Sequence, residues 1–126
     1  MPVHFENIAP ILRISDMKRS LDFYVRVLGF IREPWCDETS SFGMVTRDGH
    51  AIYLSLNDQG HFGTWVWLGV EDVEALRAEI EPRGATVSGD LLNFSWALEL
   101  RVEDPDGHVL RFGSDPKTDQ PFLDWA

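Results

Sequence analysis

Trp65 and Trp67 stand two residues apart in the β-prone run Thr64-Trp65-Val66-Trp67-Leu68, and residues two apart on a strand share a face. Two flat indoles on one face can stack on a planar heteroaromatic ligand, at about 0.5 to 1.5 kcal/mol per ring pair beyond the burial of area. A third indole, Trp96, lies in the loop-like segment Asn93-Phe94-Ser95-Trp96, and loops on a rigid scaffold commonly carry recognition. Core filling is the competing role, since indoles are ordinarily large buried apolar groups. Carboxylates able to draw a cation toward the rings are Glu33, Asp37, Glu38, Asp58 and Glu99. Strand alternation turns Arg13, Arg101 and Arg111 to the same side as Trp65 and Glu99. Unless Glu99 and Glu103 neutralise those guanidiniums, they favour an acidic or carboxylated ligand.

Metal chemistry finds little support in the residue types. A divalent site needs several deprotonated N, O or S donors at once, whereas His4, His50, His61 and His108 are scattered. His50 and His108 open hairpin strands and read as solvated imidazoles. No metal or other cofactor is expected. Cys36, the single cysteine, has no partner for an intrachain disulfide and reads as a structural residue in a reducing cytoplasm.

The elements that must position these residues are written twice. Ile11-Leu12-Arg13-Ile14-Ser15-Asp16-Met17 returns in outline as Trp67-Leu68-Gly69-Val70-Glu71-Asp72-Val73, and Asp48-Gly49-His50-Ala51-Ile52-Tyr53-Leu54 as Asp106-Gly107-His108-Val109-Leu110-Arg111-Phe112. Each copy reads as a strand, a helix and three strands, and neither half buries its apolar face alone. In the first, a strand over 8–14, opened by Pro10, leads to a helix capped by Ser15 or Asp16 with Met17, Leu21, Tyr24 and Leu28 inward and Gly29 at its end. Strands follow near 30–37, 42–47 and 50–56. Residues 57–63 are the linker. In the second, a strand from Thr64 precedes a helix with Val73, Leu76 and Ile80 inward, stopped by Pro82 and Gly84, then strands near 86–91, 97–103 and 108–113. The organisation is one domain, 1–113, of two modules at about 7–57 and 64–113. Residues 114–126 read as a mobile tail able to pack Phe122 and Trp125 onto a neighbour.

Size and charge bound the classes. A chain of 126 residues is one domain by size, with a core that needs no staples. Its formal net charge of −10 repels nucleic acid and anionic membranes. The apolar runs are too short to span a bilayer, and a cytoplasmic location is expected.

The run Ser15-Asp16-Met17, Leu21, Phe23-Tyr24, Leu28-Gly29-Phe30, with Asp104-Pro105-Asp106-Gly107-His108, resembles the vicinal-oxygen-chelate superfamily. That group takes in glyoxalase I, extradiol dioxygenases, fosfomycin-resistance enzymes and bleomycin-resistance proteins. The resemblance covers residues 7–113 and implies an α+β fold, paired βαβββ modules forming a cup-shaped mixed sheet. Where metal-dependent members carry ligands, this chain has Ala9, Tyr53, Trp65 and Arg111. A methyl, an indole and a guanidinium donate to no cation.

Within the superfamily the chain is most similar to bleomycin-resistance proteins, which sequester the drug without chemistry. Ala9-Pro10-Ile11-Leu12 resembles their proline-hinged first strand, and Trp65-Val66-Trp67 their Trp-Val-Trp strand. Trp96, nine residues before Pro105, resembles their drug-contacting tryptophan, and Phe42, five before Arg47, a pocket aromatic. The resemblance implies a homodimer with the first strand exchanged at Pro10 and a cleft for a bleomycin-like or other heteroaromatic antibiotic. The expected ligand-binding set is Trp65, Trp67, Trp96, Phe42, Glu99, Trp35, Tyr53 and Arg111. Ala97 stands where those proteins carry glycine, which closes the backbone approach to a large ligand. The alternatives are a binder of another small metabolite or a partner protein, and a metal-free enzyme using Glu99 and Tyr53 as a facing carboxylate and phenol.

Overall fold

Asp-Gly turns fix both long hairpins. In the computed structural model, which describes residues 2–87 and 89–124, Asp48 and Gly49 take positive φ of 51° and 81° and close β3 (Phe42–Arg47) onto β4 (His50–Leu56). The matching turn at Asp106-Gly107 closes β8 (Leu98–Glu103) onto β9 (Val109–Ser114). The chain divides into two compact units, Met1–Phe62 and Gly63–Ala126.

In the first unit β1 (Ile11–Ile14) pairs in parallel with β4, and β2 (Ile31–Arg32) joins β3, giving the order β1-β4-β3-β2. Ladder pairing starts where the Tyr53 N–H donates to the Pro10 carbonyl at 3.0 Å. The strand expected over 8–14 is therefore shorter, and the residues before Pro10 leave the sheet with Val3, Phe5 and Ile8 largely exposed. Helix α1 (Met17–Leu21) is capped by Asp16, whose carboxylate accepts from the Arg19 N–H. It widens over Asp22–Val27 into i→i+5 bonding, the Leu28 N–H reaching the Phe23 carbonyl at 3.1 Å. The expected inward side is buried in full: Met17, Leu21, Tyr24 and Leu28 lie with Leu12, Ile14, Val45, Ile52 and Leu54 in the core. Pro34 has no N–H to continue the ladder, and β2 stops two residues short of it.

The second unit repeats the plan. Its order is β5-β9-β8-β6, with β5 (Trp65–Gly69) parallel to β9. Helix α2 (Val73–Ile80) is capped by Asp72, which accepts from the Glu74 and Ala75 N–H groups, and a short 3-10 turn (Glu81–Arg83) ends at Gly84 with φ 99°. Val73, Leu76 and Ile80 are buried with Leu98, Leu100, Val102, Leu110 and Phe112. The strand expected over 86–91 is cut short to β6 (Thr86–Val87) by a turn at Gly89, and β7 (Leu92–Asn93) follows beyond it, both paired to β8. Two mixed sheets, each with one helix, make the chain an α+β protein of βαβββ units.

The tail is not loose through its described residues. The Asn93 amide donates to the carbonyls of Lys117 and Pro121 at 2.9 and 3.2 Å and accepts from the Lys117 N–H at 2.9 Å. Leu123 bridges Phe94, and Lys117 pairs with Glu74 at 2.9 Å. Phe122 is partly exposed, and Trp125 lies outside the described residues. Asn93→Ala removes all three amide bonds from a buried side chain. It is expected to cost about 1 to 3 kcal/mol in urea unfolding and to speed proteolysis within 115–123; unchanged cleavage there refutes the clamp.

Candidate functional site

Each sheet has one face under its helix and one face without it. On the helix-free face of the second unit, alternation and register set Trp67 beside Arg111 and Arg111 beside Arg101, with Trp65 and Glu99 two residues along their strands. Trp65 is 56% exposed and Trp67 51%, so neither fills the core.

Glu99 organises this face. It is fully buried, and its two oxygens accept from Arg111 Nε at 2.9 Å and Nη2 at 2.7 Å, a bidentate fork that a lysine cannot make. Arg101 Nε lies 3.5 Å from the same carboxylate. The Glu99 hydrogen bond raises the Arg111 pKa above its usual value, aided by Coulomb attraction and opposed by burial. A raised basic pKa means this stabilisation is complete below the ordinary arginine pKa and is lost only at more alkaline pH. Arg111 keeps its charge throughout the neutral range.

Both guanidiniums also stand against indoles, Arg101 over Trp65 at 5.4 Å and Arg111 over Trp67 at 5.8 Å from the ring centres. Trp67 lies across Gly113. A Cβ built on Gly113 would overlap the six-membered ring at Cη2 and Cζ2, whereas one on Gly69 would meet only Nε1 at 3.9 Å. Gly113 is thus a site residue that the sequence reading missed. The internal repeat held a signal for it, because the matching position in the first unit is Ser55.

Trp96 sits in the β7–β8 turn, which the Phe94 N–H closes onto the Ala97 carbonyl at 2.9 Å. Its ring stacks on buried Phe94 at 4.8 Å and 2°, leaving the indole 53% exposed. Among the described ring contacts its partner is Phe94, not a strand tryptophan.

In the first unit Phe42 and Tyr53 stack on the corresponding face, 5.4 Å between centres. Trp35 is exposed in the turn after β2. Arg13 has a local task, donating to the carbonyls of Asn57 and Asp58 at 2.9 and 3.1 Å and lying over Phe62. Of the five candidate carboxylates, the structure joins only Glu99 to the indole-bearing strand through its arginines. Asp37 holds its own turn, where hydrogen bonds from the Thr39 hydroxyl and N–H lower its pKa.

His108 departs from expectation. It is fully buried rather than solvated, and its Nδ1 accepts from the Thr64 N–H at 3.0 Å, fixing the entry to β5. Among the described residues no group of three or more His, Cys, Asp or Glu side chains could hold a metal ion. The positions matching metal ligands in relatives do not fit a cation: Arg111 presents a guanidinium bound to Glu99, and Tyr53 presents a stacked phenol.

A profile of the Glyoxalase/Bleomycin resistance protein/Dioxygenase superfamily matches residues 3–112. No curated protein matches. Among solved structures the chain is similar to the bleomycin-binding protein of bleomycin-producing Streptomyces verticillus, complexed with copper(II)-bleomycin. Identity is 23% and the TM-score 0.73, over 92% of this chain and 100% of that one. It is similar also to TioX from Micromonospora sp. ML1, at 22% and 0.73 over 87% and 98%. An integron cassette protein from the mobile metagenome of Halifax Harbour sewage outfall gives 22% and 0.73 over 87% and 99%. At these identities the likeness establishes the vicinal-oxygen-chelate fold.

The glycine floor is directly testable. Gly113→Ala forces the Trp67 ring aside and is expected to cost about 1 to 3 kcal/mol and to shift tryptophan emission, while Gly69→Ala changes both much less. Equal emission and equal urea midpoints for the two variants contradict the packing described.

Proposed function

The chain belongs to the glyoxalase/bleomycin resistance protein/dioxygenase superfamily, and from that premise we propose that it is a metal-independent binding protein of the bleomycin-resistance type. It sequesters a bleomycin-like or other heteroaromatic antibiotic without altering it. The observation that carries this reading is Trp67, its six-membered ring packed against Gly113 and half open to solvent. An indole held on a glycine floor loses little freedom when a planar ring stacks on it, so most of the stacking energy appears as affinity. Trp65, Trp96 and Trp35 offer further exposed rings, and Phe42 with Tyr53 a stacked pair. Glu99 and Arg111 fix the polar frame. Both oxygens of Glu99 are engaged by Arg111, so in this reading the acid serves as a counter-ion that holds the frame.

The working unit in this reading is a cytoplasmic homodimer. The segment before Pro10 carries three large apolar side chains largely exposed, Val3, Phe5 and Ile8, and exposed apolar clusters of this kind mark contact surfaces. A second copy of the chain, receiving the arm by strand exchange, is the occupant that the proline hinge favours. Among the described residues no helix is long and apolar enough to cross a membrane.

Two measurements test the reading. Tryptophan emission is titrated with metal-free bleomycin, copper-loaded bleomycin and neutral quinoline. Saturable quenching at one ligand per subunit by at least one probe is expected, weakened about tenfold in Trp67→Ala; no response to any of the three ends the proposal. Separately, Pro10→Ala is expected to run as a monomer on sizing while the parent runs as a dimer. A monomeric parent refutes the exchanged arm without touching the binding reading.

A further inference from the structure

Trp96 differs from the strand indoles in what holds it. Trp65 and Trp67 each have a guanidinium against the ring. Trp96 instead has buried Phe94 on one face, near-parallel at 2°, and no cation among the described ring contacts. The ring is 53% exposed, so it is backed on one side and open to solvent. Its position depends on a short element. β7 pairs with β8 only through Leu92 with Glu99 and Asn93 with Leu98, and so small a strand holds little by itself.

The C-terminal segment supplies the other neighbour. Leu123 bridges Phe94 in parallel, and its N–H donates to the Asn93 carbonyl at 2.8 Å, so β7 lies between β8 and the tail. The Asn93 side chain, 8% exposed, closes on the same segment: it donates to the carbonyls of Lys117 and Pro121 and accepts from the Lys117 N–H. One asparagine thus engages the tail through its main chain and through its amide. A buried amide whose described partners all lie in one segment fixes that segment, because each bond lost leaves a polar group unsatisfied. The Lys117–Glu74 pair also ties the segment to α2, but its side chains are 35% and 54% exposed, and such pairs contribute little.

We infer that the segment 115–123 is a strap of the binding face and that Asn93 is a positioning residue, holding Trp96 through Phe94 in the attitude on which a planar ligand stacks. The inference rests on the aromatic-binding reading above for its ligand and adds the tail to that site. A strap that orders Trp96 before a ligand arrives removes part of the ordering cost of binding. Linkage then runs both ways: a ring stacked on Trp96 tightens the strap by the factor by which the strap tightens the ring.

The test is fluorine NMR of the full chain labelled with fluorotryptophan, each indole signal being assigned as the one missing from the corresponding Trp→Phe variant, beside tryptic cleavage at Lys117. Two variants loosen the strap. Asn93→Asp replaces the donor to two carbonyls with an acceptor, and Leu123→Pro removes one N–H bond while changing no side chain of β7 or β8. Circular dichroism checks that both fold, and Leu123→Pro keeps the test open if Asn93→Asp does not. Both are expected to speed cleavage at Lys117 and to move the Trp96 signal toward that of solvent-exposed fluorotryptophan, with the Trp65 and Trp67 signals in place. Affinity for whichever of quinoline, metal-free bleomycin or copper-loaded bleomycin quenches the parent is expected to fall about fivefold to tenfold, and saturation of the parent with that probe to slow cleavage at Lys117 by a similar factor. Faster cleavage with the Trp96 signal unmoved, or with affinity unchanged, overturns the positioning role and leaves the aromatic-binding reading intact. A moved Trp96 signal in a chain whose parent binds none of the probes supports the strap and overturns the aromatic-binding reading together with the coupling.

Discussion

A carboxylate with no exposed surface is the constraint around which the second unit's helix-free face is arranged. Burying Glu99 alone would cost several kcal/mol, so its position demands a cation in fixed geometry, and Arg111 supplies one through two N–H bonds. That demand spreads through the register. Arg111 faces Arg101 directly across β8 and β9, an arrangement destabilising in isolation and tolerated because both guanidiniums reach the same acid. Glu99 faces Gly113, and the missing side chain is what lets the Trp67 ring pack there. Five residues on three strands thus hold one another in place.

The duplicated sequence separates what builds the fold from what the face can do. The helix caps Asp16 and Asp72, the Asp-Gly hairpins and the apolar faces under each helix recur in both units with the same roles. The opposite faces have diverged. Where the first unit has Ile11, Tyr53 and Ser55, the second has Trp67, Arg111 and Gly113. Aromatic stacking of Phe42 on Tyr53 in one unit is replaced by an ion-paired, indole-bearing surface in the other. One backbone plan has been given two side-chain chemistries.

Local and periodic signals carried the legible part. Caps, hairpin turns and four-residue helix spacing depend on neighbours in sequence, and they located every helix and both long hairpins. Strand limits were less legible because they depend on pairing: β1 begins only where Pro10 meets Tyr53, and the 86–91 run is cut short at Gly89. His108 was misread as solvated because its burial depends on a bond from Thr64, 44 positions away. The tail was misread for the same reason, since Asn93 reaches Lys117 from 24 positions upstream. At the site, alternation placed Trp65, Trp67, Glu99, Arg101 and Arg111 on one face. It could not tell whether Glu99 or Glu103 would bind a guanidinium, nor that Gly113 would pack against a ring.

The chemistry of the helix-free face in the second unit turns on one side chain. Arg111 presents a guanidinium at the centre of it, bound through two N–H groups to Glu99. Glu99, on the neighbouring strand, then acts as counter-ion to the protein's own arginine and not as a ligand for an external one. A divalent ion approaching this face would meet guanidiniums where coordination needs lone pairs. The side chain that neutralises the buried acid is thus the same one that offers a divalent ion no donor at this point.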